Sequence, residues 1–188
     1  MRHISLLFVS VLLLCCQEHP TVKPAAALRL EYPAPEFERV GTPCPFTFEK
    51  NTRATLTQRP GCALNLHYPE LNAAVFITYR RVNGNMDSIL YDAQKLTADH
   101  HQRAEAIFEQ PMANPIAKVY GMFYGITGNA ATNTQFYVTD STSHFLSGSV
   151  YFNARPNYDS LYPAINYMRN DVRRLMESFR FVSSVPSF

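Results

Sequence analysis

The sequence predicts an α+β domain built on a mainly antiparallel sheet with a helix on each side. Three observations lead there. Apolar residues alternate with period two in seven short segments, and two longer segments switch to helical spacing. Turn residues also separate the later strand segments too closely for crossover connections, so those strands must run antiparallel.

The chain opens with Met1-Arg2-His3, a short positive start, and an apolar run at 4–14 that ends at Cys15-Cys16. A spanning helix needs about 20 apolar residues. This run is shorter and has the charge-then-apolar order of a signal peptide. It lacks an Ala-x-Ala site. Leu13-Leu14-Cys15-Cys16 instead resembles a lipoprotein signal, in which the cysteine is acylated, with palmitate among the acyl groups, and becomes the new N-terminus. Cys16 is the expected lipidated residue, with Cys15 in the small preceding position. Cys15 as the anchor, or a retained N-terminal helix, are the alternatives. The expected organisation is a signal peptide at 1–15, a polar, proline-containing tether at 16–30, and one α+β domain at 31–188.

Within the domain, Phe46 and Phe48 share one face of a first strand. Leu64, Leu66 and Tyr68 form a second after the Arg59-Pro60-Gly61 turn, and Val75, Ile77 and Tyr79 a third. After Asn83-Gly84-Asn85 the period changes, with Ile89, Ala93, Leu96 and His100 at helical spacing, which predicts a helix over 87–103. Strands return at 104–109, 118–126, 133–139 and 145–153. Both faces of the 118–126 segment are apolar, which places it centrally, covered on both sides. Leu161, Ile165, Met168, Val172, Leu175 and Phe179 then form one helical stripe, with Ser160 as the expected N-cap and Pro163 in the first turn.

Composition restricts function. The chain is 46% hydrophobic and 17% charged with a formal net charge of +2, too small and too scattered to argue for nucleic acid. Cys44 and Cys62 sit at strand edges in an exported, oxidising setting, so a disulfide is expected, against the alternative of two unpaired buried thiols. No metal site is expected: His100 and His101 point about 100° apart on a helix, and the remaining histidines are dispersed. No cofactor motif, P-loop or Gly-x-Ser-x-Gly elbow is present, and a non-enzyme is expected. The segment Thr139-Asp140-Ser141-Thr142-Ser143-His144 holds a serine, an acid and a histidine, but these are also ordinary hairpin residues. Asp140, Thr142 and His144 are expected to contribute to a protein-contact surface. The competing reading is that Asp140 and Ser141 only stabilise their own turn.

Several stretches carry a family resemblance: Cys44-Pro45-Phe46-Thr47-Phe48-Glu49, CALNLHYP from Cys62, Val119-Tyr120-Gly121, TQFYVTDSTSHFLSGSVYFN from Thr134, and the final helix. Together they resemble the GldD family of gliding-motility lipoproteins over nearly the whole mature domain. The resemblance implies a non-catalytic part in gliding motility and type IX protein secretion. It also implies protein partners in that machinery, among them the membrane protein GldE, and a domain held in the periplasm by its lipid. The strand and helix order is similar to that of the PsbP and Mog1 binding modules, α/β/α sandwiches. An assembly factor for the secretion machinery is one reading. A small-ligand or lipid-binding lipoprotein, with an apolar pocket between sheet and helix, is the other.

Overall fold

The computed structural model of the chain describes residues 32–98 and 104–182. The signal and tether segments, with Cys15 and Cys16, lie outside the described residues, as do His100 and His101.

A small sheet is ordered β1 (Phe37–Gly41), β2 (Phe46–Asn51) and β10 (Arg180–Phe181). A seven-stranded sheet is ordered β3 (Thr55–Arg59), β4 (Ala63–Tyr68), β5 (Ala73–Arg81), β9 (His144–Phe152), β8 (Thr134–Thr139), β7 (Val119–Thr127) and β6 (Ala106–Asn114). Every neighbouring pair is antiparallel. Two helices complete the described residues, α1 (Met86–Ala98) and α2 (Tyr158–Ser178).

The period-two alternation explains the layers. Leu64, Leu66, Val75, Ile77, Phe136, Val138 and Leu146 are all buried in one core with Ile165-side residues of α2, namely Met168, Val172 and Leu175. Phe46 and Phe48 of β2 complete that core, with Phe179 at 5.8 and 5.3 Å from their ring centres. Burying each such side chain contributes roughly 1.5–3 kcal/mol. Tyr137 and Phe145 alternate with Val138 and Leu146, so they emerge on the other face. There Tyr137 stacks on Phe145 at 5.4 Å, and α1 packs Ile89 against Phe145 and Val82. Gly148 leaves room on the main core side for the Phe136 ring, which a Cβ would meet at 2.4 Å.

The antiparallel α+β class therefore holds, and several finer expectations are corrected. The 46–48 strand does not join the large sheet but pairs with β1 and β10, because Phe46 and Phe48 face the core from a second layer. β1, β3 and β10 were not expected. Each is an exposed edge with few inward apolar residues, so alternation is nearly silent there. β7 is next to the edge rather than central. β6 extends through Pro111, which an edge strand tolerates because its missing N–H faces no neighbour. Ser160 is not the N-cap of α2. Asn157 is, its side chain accepting from the Ser160 N–H, which places Pro163 deeper in the helix. Leu96, assigned to the apolar stripe of α1, is 59% exposed.

Candidate functional site

The β8–β9 connection is a rigid turn. The Asp140 carboxylate oxygen Oδ1 accepts from the backbone N–H groups of Thr142, Ser143 and His144 at 3.0, 2.8 and 2.9 Å. Thr139 Oγ1 accepts from the Ser141 N–H at 2.9 Å and donates to the His144 carbonyl at 2.7 Å. Burial pushes the Asp140 carboxyl up, but the hydrogen bonds from Ser143, Thr142 and His144 outweigh it and hold the group below its ordinary range. The local role expected for Asp140 is therefore present.

His144 begins β9 opposite Arg81 of β5. Its Nδ1 lies 2.8 Å from the Tyr79 hydroxyl, and its ring stacks on Phe181 with centres 5.2 Å apart and planes 8° from parallel. Burial raises the Tyr79 hydroxyl above its ordinary value, Arg81 opposes that, and Asp140 reinforces it. β10 brings Phe181 here and is held by the Val182 N–H, which donates to the Pro45 carbonyl at 2.9 Å. Beside it the disulfide joins Cys44 and Cys62, with Cα atoms 5.7 Å apart. Cys44 is buried and receives a hydrogen bond from Gln58 Nε2 at 3.3 Å.

These groups surround an open depression of about 860 Å³, whose walls include Tyr79, Arg81, Lys118, Asp140, Thr142 and Phe181. Four non-glycine residues have left-handed backbone among the described residues, and two of them, Cys62 (φ 60°) and Lys118 (φ 50°), line this depression. A third, Ser141 (φ 66°), sits in the turn between Asp140 and Thr142, which line it. Each such conformation costs about 1–3 kcal/mol and collects where a binding surface needs it. The fourth is Asn72, a residue type that adopts it readily, at the other end of β5. On the 115–118 turn that supplies Lys118, Ile116 is 99% exposed.

The structure brings Cys62, Asp140, Thr142 and His144 to one surface. It does not arrange the turn as a catalytic triad. The Asp140 oxygen is occupied by backbone N–H groups, while the His144 ring nitrogen meets Tyr79. Among the described residues no group of three or more His, Cys, Asp or Glu side chains is placed to hold a metal. Tyr79, Arg81, Lys118 and Phe181 belong to the site and were not anticipated as such. The adjacent Arg80-Arg81 pair was visible in the sequence, yet strand alternation sends the two to opposite faces, where Arg80 pairs with Asp92 of α1.

The depression and the start of the described chain lie at opposite ends of β2. Phe46 pairs with Phe181 beside the depression, whereas the Asn51 side chain donates to the Tyr167 hydroxyl at 2.9 Å. Tyr32 packs against that same Tyr167 ring at 5.2 Å. At about 3.3 Å per strand residue, the two ends are on the order of 17 Å apart.

Residues 17–181 match the family described as gliding motility lipoprotein GldD. The chain belongs to the GldD family of gliding motility lipoproteins. No curated protein matches the sequence. Membership makes the chain a lipoprotein of the cell envelope, anchored to a membrane by its lipid. Among the described residues no helix is long and apolar enough to cross a bilayer. The family match spans both sheets and α2, so every residue lining the depression except Val182 falls within the matched region.

Proposed function

We propose that this lipoprotein is a non-catalytic component or assembly factor of gliding motility and type IX secretion, working by protein contact from the periplasmic side of its membrane. The observation that carries the reading is the convergence of two left-handed residues, Cys62 and Lys118, and of the turn built around left-handed Ser141 on one depression. A rigid sheet that holds strained polar loops in one place is suited to recognition. The membrane protein GldE is the first partner to test. Lipid attachment at Cys16 and the likeness to the PsbP and Mog1 α/β/α sandwiches belong to the same reading, the latter on fold alone.

An acyl chain held in an apolar pocket fits less well. The apolar space bounded by Tyr32, Tyr68, Leu71 and Tyr167 measures about 10 Å³, room for about one water rather than an acyl chain.

The test is a deletion strain carrying the Asp140→Ala, Thr142→Ala, His144→Ala triple variant. Gliding and secretion should fail, and partner pull-down should be lost, beyond what the Asp140→Ala single variant shows at matched protein level. Intact secretion and pull-down with a folded variant would reject the contact role.

A further inference from the structure

We propose that the depression binds an acidic peptide segment of a partner protein, gripped between Arg81 and Lys118; this rests on the protein-contact reading above. The first support is the charge left over in the wall. Arg39, Lys50, Arg53, Arg80 and Arg174 each pair with a carboxylate. Arg81 and Lys118 line the depression without a carboxylate partner among the described residues. The one acid in that wall is Asp140, whose Oδ1 is already held by three backbone N–H groups of its own turn. Two cations thus face a single carboxylate that is committed locally, and the surface is complementary to negative charge.

The second support is shape. His144 and Phe181 form a flat stacked shelf, with Tyr79 bonded to the imidazole edge. Aromatic faces of this kind accept an extended backbone, while the cations at the wall select for carboxylates. Pro45, which holds β10 through its carbonyl, keeps the shelf in place without an N–H of its own to satisfy.

The third support selects a protein over the other common anionic surface, a membrane. The cations sit in the wall of an open depression of about 860 Å³, a concave shape that admits a chain segment and not the flat face of a bilayer.

The experiment uses the full-length lipoprotein in neutral detergent and two labelled short peptides, one of glutamate and glycine, the other with glutamine replacing glutamate. Fluorescence anisotropy should show the acidic peptide binding at least about tenfold more tightly, with the preference shrinking as salt rises. Arg81→Glu with Lys118→Glu should abolish that preference at an unchanged melting temperature. If charge reversal lowers the melting temperature, Arg81→Gln with Lys118→Gln replaces it. Arg155→Glu, on the loop beyond the opposite end of β9, should leave binding intact. Equal binding of the two peptides, or equal loss in Arg155→Glu, would overturn the proposal. So would tighter binding to phosphatidylglycerol vesicles through the same two residues, which would make the depression a membrane contact. A photo-crosslinker at position 142 in living cells separates this proposal from the reading beneath it. A protein adduct that survives the Arg81/Lys118 reversal refutes the acidic-segment proposal alone. Absence of any protein adduct refutes both.

Discussion

The side-chain amide of Asn51 donates to both carboxylate oxygens of Asp171, at 3.2 and 3.0 Å, and so ties the small sheet to the middle of α2. Burial raises the Asp171 carboxyl above its ordinary value, against the hydrogen bonds from Tyr68 and Asn51 that favour the charged form. Burial also drives the Tyr68 hydroxyl far upward, with Asp171 adding to the shift. Asn51→Ala leaves this buried carboxyl without its amide donor and should cost about 1–3 kcal/mol in the denaturant midpoint. The pH dependence has a definite sign. A carboxyl whose folded value is raised stabilises the fold below its unfolded value of 3.8 and loses that contribution as pH rises through the folded value. Asp171→Asn should therefore gain on the wild type between acid and neutral pH. A constant difference across that range would show that Asp171 keeps an ordinary value.

The disulfide closes a loop with a sequence separation of 18, for which the chain-entropy model gives about 3 kcal/mol. Cys62→Ala should lower the melting temperature accordingly, and Cys44→Ala more, since it also empties a buried position beside Phe46-side packing. Non-reducing peptide mapping of protein taken from the cell envelope should recover the two residues joined. Free thiols at both positions would contradict the pairing.

Asp140 titrates in the opposite sense. Its folded value is held below the unfolded 3.8, so its contribution is present above that value and lost as pH falls through the lower one. Asp140→Ala should loosen the turn and destabilise the domain at neutral pH, with the gap closing in acid. Thr142→Ala alone, at an exposed position, should leave the melting temperature within about 0.5 kcal/mol equivalent of wild type while weakening partner pull-down. If both variants lose pull-down only when they lose stability, the turn is structural and not a contact surface.

The anchor is tested by Cys16→Ser, which should leave an unacylated, uncleaved precursor. Mass spectrometry of the wild-type N-terminal peptide should find lipid on Cys16. Lipid on Cys15 would move the anchor by one residue, and a bare Cys16 inside a longer chain would remove it.

Much of the fold was legible because burial and periodicity coincide. β4 and the first half of β5 bury alternate residues, β7 and β8 bury consecutive ones as strands covered on both faces do, and α2 buries Ile165, Met168, Val172 and Leu175 along one stripe. Edges were not legible. In β3 only Leu56 is partly buried, so a paired strand and an exposed loop leave nearly the same pattern. Asn157 was overlooked as a cap because Ser160 is an equally good cap residue and lies nearer the first apolar position.

The candidate site divides in the same way. Local sequence determined the hairpin at 140–143, since Asp140 bonds only to neighbours within four residues, and it determined the cysteine pairing by leaving the domain just two. Tertiary structure alone decided that Lys118, on the turn before β7, and Phe181, on β10 of the other sheet, meet that hairpin. Their approach depends on β10 pairing with β2, on the order of the large sheet, and on backbone at Lys118 and Ser141 in a conformation their side chains disfavour. Local propensity opposes that conformation, and only the summed packing of two sheets against α2 holds it.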